Sequence, residues 1–156
     1  MQMEDLGLIS PMPCGFFWSA FLPARRTTRA NSKATVLVVE DDRAIRYLFT
    51  EVLRGHGYVV LPCEDGARGL EVARAQIAEI DAVITDSRMP GLDGRELIRA
   101  IRALRPEIPI LVVSGTLEDR SAADPATRYL TKPLSPDRLT IELRLALGEA
   151  PPGPVR

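Results

Sequence analysis

Acidic, hydroxyl and amine side chains follow apolar runs at widely separated points along the chain. In chain order they are Glu40 with Asp41, then Asp86, Ser114 and Lys132. Each apolar run has the length and composition of a buried strand in a parallel sheet. Because parallel strands all point the same way, groups at their carboxyl ends meet at one edge, where open α/β sheets bind ligands. The sequence therefore predicts one polar site built from distant residues.

Three carboxylates brought together would repel one another strongly without a cation. Mg²⁺ prefers oxygen ligands, so Glu40, Asp41 and Asp86 are candidate Mg²⁺ ligands. Asp86 is also the candidate nucleophile, since a carboxylate can accept a phosphoryl group as an acyl phosphate. Lys132 would pair with Asp86 at rest and with phosphoryl oxygens afterwards, and the Ser114 hydroxyl would donate to another of those oxygens.

The stretch around Asp86 reads as a strand, an exposed carboxylate, a turn and a helix. Its sequence over residues 81–94 is D-A-V-I-T-D-S-R-M-P-G-L-D-G. Pro90 and Gly91 favour a tight turn, because proline fixes one dihedral angle and glycine permits the unusual one. Asp93 is the predicted N-cap of the next helix, with Glu96 as its reciprocal partner.

Five apolar runs alternate with helical patterns over the rest of the chain. The predicted strands cover residues 36–39, 58–61, 81–86, 109–113 and 127–131. The apolar faces of the first and third helices are predicted from Ile45, Leu48, Phe49, Val52 and Leu53, and from Leu97, Ile98, Ile101 and Leu104. Such alternation predicts βαβ units, and right-handed crossovers make a doubly wound parallel sheet the economical topology.

The fourth and last helices have distinct predicted features. Pro125 limits the helix between the fourth and fifth strands to residues 117–123, about two turns. Ser135 and Pro136 predict the N-cap and first residue of the last helix. Within that last helix, Ile141 and Leu145 fall on a different face from the core positions. We interpret Ile141 and Leu145 as a contact for a partner or a second copy of the chain.

With these residues in place, residues 34–147 resemble the receiver domain of two-component response regulators. Four segments carry the resemblance, each at a predicted strand end: V-V-E-D-D, I-T-D-S-R-M-P-G-L-D-G, V-S-G and Y-L-T-K-P. The resemblance implies a flavodoxin-like, five-stranded sheet of order 2-1-3-4-5. It also implies phosphotransfer from a histidine kinase or a histidine phosphotransfer protein to Asp86, followed by signalling to a downstream protein target.

The same resemblance implies a role for each site residue. Asp41 would be the more direct Mg²⁺ ligand of the acidic pair, and the Arg88 backbone carbonyl would complete the protein ligands. Ser114 would be the switch hydroxyl and Tyr129 the switch aromatic. Lys132 would sense the phosphate, with a cis bond to Pro133. The interval between Ser114 and Tyr129 is about one helical turn shorter than is usual in the family, so we expect a shortened fourth helix.

Arg88 stands two residues beyond Asp86, beside the candidate phosphorylation site. A guanidinium can hold a phosphoryl group or crowd out the attacking water. We therefore expect a long-lived acyl phosphate in this protein.

Composition bounds the domain organisation and the partners. The chain has 156 residues, 46% of them hydrophobic, and a formal net charge of −1. We expect a disordered extension and linker over residues 1–33, the receiver domain over 34–148 and a disordered tail over 149–156. The charge predicts no direct binding of nucleic acid, and no apolar run predicts a membrane span. Two cysteines, too few for a disulfide framework, indicate a reduced, cytoplasmic protein.

Other readings of the same residues remain open at this point. A phosphate-independent pseudo-receiver would act purely as a protein-interaction module. An aspartyl-phosphate phosphatase of the haloacid dehalogenase type would need D-x-D after the first strand, where Glu40-Asp41-Asp42 stands. A flavodoxin would need a phosphate-binding loop rich in Ser, Thr and Gly at that point. We therefore expect no enzyme activity beyond phosphorylation and dephosphorylation of Asp86 itself.

Overall fold

The computed structural model describes residues 34–115 and 124–150. These residues form a five-stranded parallel sheet of order β2-β1-β3-β4-β5, flanked by helices. The elements are β1 (Thr35–Val39), α1 (Arg43–Gly55), β2 (Val59–Cys63), α2 (Gly66–Gln76), β3 (Ala82–Asp86), α3 (Gly94–Leu104), β4 (Ile110–Ser114), β5 (Thr127–Thr131) and α4 (Pro136–Ala146). The predicted flavodoxin-like, doubly wound fold is confirmed.

Burial explains why short apolar runs became these strands. The central strands β3 and β4 are buried at every residue, whereas the edge strands β2 and β5 alternate between buried and exposed positions. A strand covered by helices on both faces needs apolar side chains on both of its faces, which gives a continuous run. The strand positions could therefore be predicted from local sequence.

The core has two halves, one on each face of the sheet. On one face, Phe49 and Leu53 of α1 pack with Leu139 and Leu143 of α4 against the sheet. On the other face, Ala73 of α2 and, from α3, Leu97 and Ile101 pack against the alternate residues of the same strands. Burial of a large aliphatic side chain contributes about 1.5–3 kcal/mol, so these layers fix the strand ends in space.

Side-chain caps set where the helices begin. Asp42, Asp65 and Ser135 each accept a hydrogen bond from the first-turn backbone of α1, α2 and α4. Asp93 caps α3 through Glu96 N at 2.9 Å, and Glu96 Oε2 accepts from Asp93 N at 3.2 Å. The predicted capping box is confirmed, and it begins α3 eight residues after Asp86.

Two residues assigned to buried helix faces are exposed instead. Leu48 is 43% exposed, because the buried arc of α1 is centred on Phe49, Thr50 and Leu53. Leu104 is 42% exposed as the last residue of α3, where the helix leaves the core. The prediction that these two leucines are buried was wrong.

Parts of the predicted organisation fall outside the described residues. These are the extension over residues 1–33, the short helix over 117–123 and the tail from 151 onward. Glu149 and Ala150, predicted to open that tail, still bond to the domain. Glu149 Oε2 accepts from Tyr58 Oη at 3.0 Å, and the Ala150 carbonyl accepts from Arg144 Nε at 3.0 Å. Within the described ranges, no helix is both long and apolar enough to cross a bilayer.

Candidate functional site

Asp86 ends β3, the central strand of the sheet, and is held there by close backbone packing. Its side chain is largely buried, and its Oδ1 accepts a hydrogen bond from Arg88 N at 3.0 Å. Gly91 makes the following turn with a φ of +78°, a conformation that glycine adopts without strain. At Gly94 a Cβ would lie 2.2 Å from the Asp86 carbonyl oxygen, so only glycine allows α3 to start so close to the strand.

Three carboxylates, including that of Asp86, lie close together at this edge of the sheet. One oxygen each of Glu40, Asp41 and Asp86 lies within 4.8 Å of the others. Glu40 is 2% exposed and Asp86 9% exposed, whereas Asp41 faces solvent. Clustered carboxylate oxygens with one open side fit a hard divalent cation that keeps some of its waters, which describes Mg²⁺.

Lys132 bridges two of these acids. Its Nζ donates to Asp86 Oδ2 at 2.5 Å and to both carboxylate oxygens of Glu40 at 3.2 Å. The lysine follows β5, and its backbone N–H donates to the Ser114 carbonyl at 2.8 Å, which ties its position to the end of β4. The Lys132–Pro133 bond is cis.

Burial and the neighbouring charges shift the pKa values of Glu40 and Lys132. Burial raises the pKa of Glu40; the Lys132 ammonium lowers it, the Asp86 charge raises it, and the net direction is upward. Burial alone would lower the pKa of Lys132, but its hydrogen bond to Asp86 and the charges of both acids outweigh burial and raise it. Lys132 is therefore held firmly as an ammonium, and the cluster would gain from a further cation.

Ser114 ends β4 and is 3% exposed. Its Oγ accepts a hydrogen bond from Ser87 Oγ at 2.9 Å. Ser87 is itself buried, and its Oγ also lies 3.5 Å from Asp86 Oδ1. Sequence reasoning did not single out Ser87, although a serine directly after the strand-end acid was a visible signal.

Two further candidate residues, Tyr129 and Arg88, lie outside the cluster of carboxylates. Tyr129 lies in β5 and is half-buried, packing on the side of the sheet that carries α2 and α3. The Arg88 side chain is exposed, and one Nη atom lies 3.9 Å from where a Cβ of Gly115 would stand. The guanidinium therefore lies near Gly115, the residue that follows β4.

Sheet order, the position of the acids and the family comparison lead to one class of protein. Residues 36–144 match the family described as the response regulator receiver domain. The chain belongs to that family, and its domain is a signalling domain of the two-component kind.

Curated relatives show where such domains occur. The chain is 35% identical over 123 residues to the sensor kinase CckA of Brucella abortus, covering 76% of this chain and 13% of that protein. It is 36% identical over 116 residues to the transcriptional regulatory protein ZraR of Escherichia coli, covering 72% of this chain and 26% of that protein. The chain thus spans about a quarter or less of the length of these relatives.

A solved structure shows the same fold with ligands present. The response regulator protein TrrA from Thermotoga maritima, in complex with Mg²⁺ and BeF, superposes with a TM-score of 0.66 at 28% identity. The match covers 73% of this chain and 99% of that one. That response regulator thus binds Mg²⁺ together with BeF.

Proposed function

We propose that this domain is the phosphoacceptor of a two-component phosphorelay. Asp86 takes a phosphoryl group from the phosphohistidine of a histidine kinase or a histidine phosphotransfer protein, with Mg²⁺ required. The observation that carries the proposal is the site itself: Glu40, Asp41 and Asp86 cluster at the carboxyl edge, and Lys132 bonds to both buried acids.

Glu40, Asp41 and Asp86, together with the Arg88 backbone carbonyl, are the residues that would hold the ion. Mg²⁺, when bound, supplies positive charge that offsets the carboxylates and the phosphoryl oxygens. The donor set supports this choice, because all of its atoms are oxygens and its exposed member, Asp41, leaves room for retained water.

The transfer itself exchanges one bond to phosphorus for another. An Asp86 carboxylate oxygen forms the new O–P bond while the N–P bond of the phosphohistidine breaks, and the imidazole nitrogen leaves with the electron pair. Lys132, already an ammonium 2.5 Å from Asp86, turns its charge to the phosphoryl oxygens. Water hydrolyses the resulting acyl phosphate, and this return step completes the only chemistry that we assign to the domain.

Ser114 and Tyr129 are the proposed switch. The Ser114 hydroxyl donates to a phosphoryl oxygen, and Tyr129, half-buried in the edge strand β5, responds to that movement. The protein-binding surface changes as a result and is read by a downstream protein target. A cytoplasmic location stays a prediction, in keeping with the free, buried thiol of Cys63.

A binding experiment with beryllofluoride, which mimics the phosphoryl group, tests the proposal. We expect Mg²⁺-dependent binding by the wild type, none by Asp86→Asn, and normal binding by Glu79→Gln, which changes an exposed acid before β3. Phosphotransfer profiling against histidine kinases, with Asp86→Ala as the negative control, then identifies the donor. If the wild type does not bind beryllofluoride at saturating Mg²⁺, the domain is a phosphate-independent pseudo-receiver instead.

The exposed face of α4 is the proposed contact with a second copy of the chain. Ile141 and Leu145 are 36% and 41% exposed, one turn apart on the same face. Light scattering of the wild type and of Ile141→Glu measures this directly. We expect Ile141→Glu to shift a dimer towards monomer, and a wild type that is already monomeric would remove the contact.

A further inference from the structure

A hydroxyl pair links the proposed nucleophile to the proposed switch. Ser87 Oγ donates to Ser114 Oγ at 2.9 Å, across the boundary between β3 and β4. Both side chains are buried, with Ser87 5% and Ser114 3% exposed. A hydrogen bond between buried hydroxyls persists in a folded protein because neither group can turn to water instead.

The backbone of Ser87 is fixed on both sides, so its position does not depend on this bond. Its N–H donates to the Val113 carbonyl at 3.3 Å, and its carbonyl accepts from Gly94 N at 3.2 Å. The start of α3 lies directly against the Ser87 backbone, since a Cβ at Gly94 would stand 2.9 Å from Ser87 Cα. Ser87 is therefore a fixed anchor, and because the Ser114 backbone is also held, by Lys132 N at 2.8 Å, the pair can separate only by rotation of a side chain.

A hydroxyl group has one proton and donates one good hydrogen bond at a time. Ser87 Oγ lies 2.9 Å from Ser114 Oγ and 3.5 Å from Asp86 Oδ1, and only the shorter distance is typical of a hydroxyl hydrogen bond. At rest, then, Ser87 holds Ser114 rather than Asp86. When Ser114 turns towards a phosphoryl group on Asp86, that hydrogen bond must break.

We propose that Ser87 is a positioning residue that holds the Ser114 hydroxyl in its resting place and so sets how readily the domain switches. The inference rests on the proposed function, because Ser114 has to leave its resting position only when Asp86 carries a phosphoryl group. This hydrogen bond exists only while Asp86 carries no phosphoryl group. Its net free energy therefore stabilises the unphosphorylated state alone. Removing the Ser87–Ser114 hydrogen bond shifts the equilibrium towards the phosphorylated state.

Beryllofluoride titrations followed by NMR at saturating Mg²⁺ test this. Ser87→Ala should bind beryllofluoride about 3- to 10-fold more tightly than the wild type, the change expected for one hydrogen bond. In a Ser114→Ala background the same substitution should change nothing, because the bond is already gone. Ser87→Thr keeps the hydroxyl and should return the affinity towards that of the wild type.

Thr85→Val is the matched control. It removes another fully buried hydroxyl next to Asp86, one that bonds to the Asp86 backbone carbonyl at 2.9 Å. Its affinity for beryllofluoride should equal that of the wild type. A second readout needs neither metal nor ligand: NMR relaxation should show larger motion of the Ser114 Cβ–H bonds in Ser87→Ala.

The outcomes separate this inference from the function on which it rests. Wild type that binds beryllofluoride only through Asp86, together with Ser87→Ala of equal or weaker affinity, overturns the role of Ser87 and leaves the function standing. An equal gain in the Ser114→Ala background also overturns it, since the effect would not pass through Ser114. Wild type that binds no beryllofluoride overturns both.

Discussion

The two edges of the sheet handle charge in opposite ways. We define the carboxyl edge by Glu40, Asp41, Asp86 and Lys132, and the amino edge by Arg102, Arg105, Asp124 and Thr127. At the carboxyl edge, the Lys132 ammonium bonds to two of the three clustered carboxylates, those of Glu40 and Asp86. The Arg46 guanidinium bonds there to the backbone carbonyls of Glu40 and Asp41 rather than to a carboxylate.

At the amino edge each donor meets an acceptor. Arg102 donates to Asp124 Oδ2 at 2.5 Å, to the Ile108 carbonyl at 2.5 Å and to Thr127 Oγ1 at 2.8 Å. Arg105 donates to the Ile80 carbonyl at 2.6 Å and to Glu107 at 3.1 Å. These arginines tie the end of α3 to the starts of β4 and β5, so the amino edge is a closed, structural network.

The contrast shows how one sheet separates stability from function. Charge that is paired within the protein stabilises it, whereas charge left over stabilises only what binds to it. Substitutions at the amino edge should therefore change the free energy of unfolding and leave ligand binding alone. Substitutions at the carboxyl edge should weaken or abolish ligand binding without destabilising the fold.

The largest expected effect is at the amino edge, from Arg102→Ala. The substitution removes the Arg102 donor from a carboxylate, a carbonyl and a hydroxyl, although Asp124 keeps Ala126 N and Thr127 Oγ1 as donors. We expect a loss of about 1.5–3 kcal/mol in the free energy of unfolding, the value of hydrogen bonds to a charged group. Urea denaturation measures it. Arg99→Ala, an exposed arginine of the same helix, should stay within about 0.5 kcal/mol of wild type. Equal losses for both variants, or lost beryllofluoride binding in Arg102→Ala, would contradict the separation of the two edges.

Asp86→Asn should have a smaller effect of the opposite sign. Without Mg²⁺, removing one of three clustered negative charges should raise the free energy of unfolding by about 1 kcal/mol, because it relieves the repulsion with Glu40 and Asp41. Saturating Mg²⁺ should then stabilise the wild type and leave the variant unchanged. Urea curves for both proteins, with Mg²⁺ and with EDTA, give the four values. A variant less stable than wild type in EDTA would mean that Asp86 is structural rather than strained.

Arg88 lies at the carboxyl edge, and its guanidinium beside Gly115 is placed to reach a phosphoryl group. We expect the acyl phosphate of the wild type to last about 3- to 10-fold longer than that of Arg88→Asn, the effect of one charge-assisted hydrogen bond. Dephosphorylation half-times, with Arg99→Ala as the control for charge alone, check this. An unchanged or shorter half-time in the wild type would remove any role for Arg88.

The fold and much of the site geometry follow from local sequence signals. Buried parallel strands are continuous apolar runs, so the strand ends, and with them the position of Asp86, could be predicted. The helix starts could be predicted because Asp, Ser and Pro are the residues that favour the first positions of a helix. The convergence of Glu40, Asp86 and Lys132 then follows from the direction of the strands. Distance along the chain did not matter, because the topology alone brings strand ends together.

Other features depend on three-dimensional packing that no local pattern records. The exposure of Leu48 depends on which arc of α1 faces the sheet, and that of Leu104 on where α3 ends. The three acceptors of Arg102 come from separate segments, and an arginine on a helix gives the same local pattern whether solvated or buried. The Ser87–Ser114 bond likewise needs the register of β3 against β4.

The smallest expected effect comes from the start of β2, where burial and the hydrogen bond to Glu149 raise the pKa of Tyr58 from 10.0 to about 12. The folded protein then keeps a proton that the unfolded chain releases, so this contribution is complete below pH 10 and is lost between pH 10 and about 12. Tyr58→Phe should cost about 0.5–1 kcal/mol near pH 8, for one hydrogen bond. Its stability should fall less steeply than that of the wild type above pH 10, whereas Tyr47→Phe, at an exposed tyrosine, should follow the wild type. Parallel curves for Tyr58→Phe and wild type would show that Tyr58 ionises as readily in the folded protein as in the unfolded chain. They would also show that the hydrogen bond from Tyr58 to Glu149 does not stabilise the fold.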